Sequence, residues 1–157
     1  MFTLLSFIGL LIGILLAKIS PEELKPGKKY FIMLKKLVLL SIILSLLYYT
    51  KFSFLLFFIG IMFAYFFNHI YLYLGISIVI SLVSKQFNVL IASLIFIYGL
   101  PHGTLLNKNI LKRVALNLFL FLTPLLLIIN NLNINYTNLI SSFVIGSIAV
   151  LMIKNDS

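Results

Sequence analysis

His69 and His102 are the two imidazoles of this chain, and they are its best residues for acid–base or metal chemistry. Little else could join them. The chain has three acids, Glu22, Glu23 and Asp156, and no cysteine. Zinc normally takes at least three protein ligands, so two histidines make an incomplete site. No thiolate is available as nucleophile or ligand. The paired acids of an intramembrane aspartyl site and the HExxH spacing of a zinc protease are both missing. The residues therefore imply no catalytic group, no metal and no cofactor. Both histidines fall at the same end of apolar runs. They could form a titrating pair at the mouth of a pathway, or each could bond to its own loop.

Hydroxyls and amides form the second set. Ser41 and Ser45 are one helical turn apart, as are Ser77 and Ser81, with Ser84 close behind. Thr123-Pro124 interrupts an apolar run, and Asn117 lies two turns earlier on nearly the same face. Proline removes one helical hydrogen bond and frees the carbonyl four residues back, that of Leu120. These groups could line a narrow polar path. They could equally return hydrogen bonds to their own backbone or tie helices together, each worth roughly 0.6 kcal/mol.

The third set is small residues one turn apart: Gly9, Gly13 and Ala17, then Gly60 and Ala64, then Ser142 and Gly146. Such spacing makes a groove that a second helix can approach closely. The partner could be a helix of the same chain, a second copy or another subunit.

These residues sit on elements that composition defines. Of 157 residues, 62% are hydrophobic and 10% charged. A soluble domain carries roughly a quarter charged residues, and a small fold cannot hide so much apolar surface from water. The expected fold is all-α, a polytopic transmembrane bundle. Apolar runs fall at about 2–17, 32–49, 52–67, 70–84, 87–101, 114–130 and 137–153, forming one membrane domain over 1–157. The first run has no basic residues before it and no small-x-small cleavage site after it, so it reads as a retained span.

The stretch 52–84 would be about 50 Å long as one helix, too long for one crossing of a ~30 Å core. A break at Asn68-His69 is expected, with Tyr65, Phe66, Phe67, Tyr71 and Tyr73 as an interfacial belt. Runs 70–84 and 87–101 give seven spans if both cross, or five if they form a re-entrant hairpin.

With the N-terminus outside, Lys18, Lys25, Lys28, Lys29, Lys35, Lys36, Lys108, Lys112, Arg113 and Lys154 face inward, and Lys51 and Lys85 face outward. The positive-inside rule selects that orientation, with a cytoplasmic C-terminus in the cell membrane. Lys25, Lys28, Lys29, Lys35, Lys36, Lys108, Lys112 and Arg113 would meet anionic lipid headgroups or dock a soluble partner. A net charge of +9 then reflects lipid and not nucleic acid. In the first inner loop, Ser20-Pro21-Glu22-Glu23 reads as a capped helix start. Pro26-Gly27 would stop that helix after a turn, and a second would begin near Lys28. Asn135-Tyr136-Thr137, in an Asn-rich outer loop, matches a glycosylation sequon.

Tyr98-Gly99-Leu100-Pro101-His102-Gly103 is the most distinctive string. Pro101 and Gly103 would end a helix and aim His102 into the inner loop. Pro101-His102-Gly103 resembles a tripeptide of the sporulation stage II protein M family of membrane proteins. In that family an acid follows three residues after the glycine. Here that position is Leu106, and no function is carried over.

Three functions fit, in this order. A non-catalytic accessory or structural subunit of a larger membrane complex fits the charge-free spans and small-residue faces. A small transporter or channel for a neutral or weakly polar solute fits the hydroxyl stripes and Pro124. A lipid-acting intramembrane enzyme would have to rely on His69 and His102.

Overall fold

The computed structural model describes residues 2–84, 87–106, 109–130 and 134–154, with all side chains except those of 2–4, 23–25 and 127–136. The described residues form seven α-helices and no strand. They are α1 (Phe2–Ile19), α2 (Pro21–Tyr49), α3 (Phe54–Phe66), α4 (Ile70–Ser84), α5 (Asn88–Thr104), α6 (Ile110–Leu122) and α7 (Ile134–Lys154). A 3₁₀ segment, Thr123–Asn130, continues α6. Two helices are long and apolar enough to cross a membrane, over Pro26–Tyr49 and Thr137–Lys154. Four more are apolar but shorter.

The core forms around α4. Ten of its fifteen residues are buried, among them Tyr71, Tyr73, Leu74 and Ile78. It packs against α5, α6 and α7, while α1 packs on α5 and α3 on α7. Burial of α4 from several sides fits its lack of charged residues, and its buried serines donate to carbonyls of the same helix.

Glycines fix the helix pairings. A Cβ built on Gly9 or Gly13 would collide with the backbone carbonyls of Phe96 and Leu100 in α5. Reciprocally, one on Gly99 or Gly103 would strike the backbone of α1 at Leu10. Gly60 meets the Phe143 carbonyl and Gly146 that of Phe57, which joins α3 to α7 in the same way. Only residues without a side chain permit such approach. The grooves expected from spacing are therefore occupied by helices of this chain. Ala64 is fully buried and Ala17 half-buried.

Several local expectations are corrected. Pro26-Gly27 does not stop a helix, because α2 runs unbroken through it. Proline removes only the bond to the Glu22 carbonyl, near a free helix end where few such bonds exist. Ser20 is the N-cap and Pro21 follows it, but the Ser20 side chain makes no capping hydrogen bond. Pro101 likewise lies inside α5, whose last turn is buried against α1. Thr104 Oγ1 donates to the Pro101 carbonyl at 2.9 Å and closes that turn. Tyr71 and Tyr73 are not interfacial: they are 1% and 0% exposed, whereas Tyr65, Phe66 and Phe67 do face outward. Residues 67–69 separate α3 from α4. Asn135 and Thr137 belong to α7 and not to a loop, and Thr137 is buried. Lys85 lies outside the described residues.

Candidate functional site

One end of the bundle holds both imidazoles and several of the described cationic groups. Lys18 and Lys112 line one groove with Asn109. Arg113, the next residue of α6, lines a separate cavity with both histidines. Lys154 Nζ lies 3.4 Å from the Tyr65 carbonyl and 4.8 Å from the centre of its ring. Lys35 is half-buried and its Nζ sits 5.9 Å from the centre of the Tyr98 ring of α5. Lys28 and Lys29 are exposed on the early turns of α2, and Lys36 is half-buried. The Lys25 side chain and Lys108 lie outside the described set.

The cavity has a volume of about 410 Å³. The turn after α3 supplies Asn68 and His69, the last turn of α5 supplies His102, and α6 supplies Arg113, Leu116 and Asn117. His69 and His102 thus border one space, as their positions at the same ends of apolar runs suggested. Because α5 continues through Pro101, His102 stays on a helix and faces this space, not a loop.

Behind His102 lies a ring cluster. Its ring is 5.5 Å from that of Tyr98 in a stacked arrangement and 5.3 Å from that of Tyr71 edge-on. Among the described residues, Tyr71 Oη, Tyr98 Oη and His102 Nδ1 are buried without a hydrogen-bond partner. Buried polar groups are nearly always partnered, so these three are exceptions among the described residues. Among the described residues, no group of three metal-ligating side chains forms.

The hydroxyls do not converge here. Ser41 and Ser45 donate to the Leu37 and Ser41 carbonyls of their own helix at 3.0 and 2.8 Å. Ser77 donates to Tyr73 at 2.9 Å, Ser81 to Ile78 at 2.7 Å and Ser84 to Ile80 at 2.9 Å. Thr123 Oγ1 reaches the Phe119 carbonyl at 2.7 Å, at the point where the α-helix gives way to 3₁₀ geometry before the buried Pro124. Of that set, only Asn117 lines the cavity.

The opposite end is closed by hydrogen bonds. Ser142 Oγ accepts from the Ser53 amide at 2.8 Å, and Asn138 Oδ1 accepts from the Lys51 amide at 3.3 Å. Tyr49 stacks on Phe87 at 4.6 Å. At mid-bundle, Ser147 donates to the Gly60 carbonyl at 3.0 Å across the α3–α7 contact.

Sequence reasoning missed Gly99 and Gly103, Ser147, and the pair Tyr71 and Tyr98. The glycines carried the same small-x-x-x-small spacing as Gly9 and Gly13 and could have been found. The tyrosines could not, since an aromatic near a helix end reads as interfacial until its neighbours are known. Comparison with family models, with curated proteins and with solved structures finds no match.

Proposed function

We propose that this chain is a multi-pass protein of the cell membrane, N-terminus outside and C-terminus cytoplasmic, acting as a non-catalytic subunit of a larger membrane complex. The observation that carries this reading is the closed interior. Hydroxyls that could have lined a path bond to their own helices, and glycine contacts bring backbones together where a pore would need space.

Helix lengths support the same view. The 13 residues of α3 span about 20 Å and the 15 of α4 about 22 Å, short of a ~30 Å hydrocarbon core. Short spans are accommodated by thinning the bilayer or by association with neighbours. By contrast, α6 and its 3₁₀ extension together reach roughly 35 Å, because 3₁₀ geometry rises about 2 Å per residue. On α3, the residues Phe54, Phe58, Met62 and Phe66 turn outward along one face. That face suits lipid or the helix of a partner. Anionic headgroups would meet the basic end.

A tagged chain purified from its own cells in mild detergent tests this. The expected result is one fixed membrane partner at constant stoichiometry, whose addition to the lone chain raises its thermal midpoint. Solute flux through liposomes holding only this chain would overturn the reading. It would favour instead a small transporter or channel for a neutral or weakly polar solute, for which the cavity lined by His69 and His102 is the supporting observation.

A further inference from the structure

We propose that the cavity bounded by Asn68, His69, His102, Arg113 and Asn117 binds a phosphate group, either free or borne by a lipid headgroup. Its polar lining consists of hydrogen-bond donors and a permanent cation. Arg113 offers a guanidinium fork matched to phosphate oxygens. The amides of Asn68 and Asn117 and the imidazole N–H groups add neutral donors. No described residue lining the cavity is acidic, so no described side chain there carries a charge that would repel an anion.

The second observation is independent of that list. His102 Nδ1 is buried and has no partner among the described residues, and Tyr71 Oη and Tyr98 Oη behind it share that state. The Tyr71 and Tyr98 rings pack against His102 and back the cavity wall that it forms. The volume of about 410 Å³ falls within the ~300–1,000 Å³ of small-ligand sites and exceeds what one phosphate requires. Leu116, which lines the cavity and is 45% exposed, gives an apolar rim for the glycerol and acyl part of a lipid. Arg113 beside it is exposed, so the entrance is reachable from the interface.

Binding is measured on the full chain in a neutral detergent, at constant ionic strength, by thermal midpoint and native mass spectrometry. The probes are inorganic phosphate, a short-chain phosphatidylglycerol and a short-chain phosphatidylcholine. A midpoint that rises with inorganic phosphate identifies the free ion. A rise with phosphatidylglycerol alone identifies the headgroup. Phosphatidylcholine should bind at least several-fold more weakly, because its ammonium meets Arg113 and no acid.

Arg113→Gln should weaken binding about tenfold, the loss of one charge-assisted hydrogen bond, without moving the ligand-free midpoint. Asn117→Leu should weaken it several-fold. Lys18→Gln, which removes an exposed charge at the same end but outside the cavity lining, should change it less than twofold. No response to any probe overturns the proposal. So does an equal loss in Lys18→Gln and Arg113→Gln, which would mean diffuse surface charge. The chain is tested alone, so this result is separable from whether it belongs to a complex.

Discussion

The two ends of this bundle are built from opposite materials. At the end holding Lys51, backbone amides are capped by side chains from a distant helix: Ser142 accepts from Ser53 and Asn138 from Lys51. At the other end, cations gather, a cavity opens, and three buried polar atoms have no partner among the described residues. Both ends contain polar groups at helix termini. They differ in whether the chain satisfies those groups itself. The closed end spends its polar side chains on holding helices together. The open end leaves three buried polar atoms without a partner among the described residues, and the proposed phosphate site lies beside them.

Four substitutions test that contrast, taken from the largest expected effect to the smallest. Gly103→Val should be the most damaging. The added side chain would meet the backbone of α1 at Leu10 and Ile14, and backbone cannot give way as a flexible side chain can. A loss of about 3 kcal/mol or more is expected, as for severe overpacking, read as loss of folded protein in detergent. If Gly103→Val were tolerated, the open end would be loosely joined and not a built cavity. Ser142→Ala should cost about 1–3 kcal/mol, because the Ser53 amide then has no acceptor; a thermal melt reads it directly. Tyr98→Phe should leave stability unchanged or slightly raised, since it deletes a buried hydroxyl that bonds to nothing described. A clear destabilisation by Tyr98→Phe, equal to that of Ser142→Ala, would erase the distinction between the ends. Gly27→Ala should shift the midpoint least, within about 0.5 kcal/mol, because its Cβ would meet only the flexible Phe31 ring.

Much of the helical framework could be read from residue order. All-α structure follows from the apolar runs, and the interruption at residues 67–69 follows from the length limit on a single crossing. The small-residue spacing at Gly9, Gly13, Gly60 and Gly146 identified faces that other helices occupy. What spacing could not convey was which helix would fill each groove, because that depends on residues far away in the chain. Gly99 and Gly103 answer to Gly9 and Gly13 only once α1 and α5 lie side by side. Prolines misled for a related reason. Pro26 and Pro101 weaken helices locally, yet a free end tolerates one and burial against α1 holds the other. Of the site, the placement of His69 and His102 at one end of the bundle could be anticipated from their positions, and Asn117 was noticed for a different role. The ring cluster of Tyr71 and Tyr98 was hidden, since burial of a hydroxyl is a property of the assembled core.

The orientation of the two ends across a bilayer is the claim on which the rest depends, and the absence of native cysteine allows it to be measured cleanly. Single cysteines introduced by Lys28→Cys, Lys51→Cys and Asn68→Cys, all at exposed positions, are probed with a membrane-impermeant maleimide in intact and then permeabilised cells. The expected result is labelling of Lys51→Cys in intact cells, and of Lys28→Cys and Asn68→Cys only after permeabilisation. Identical labelling of all three in intact cells, or recovery of the chain in the soluble fraction, would contradict the account.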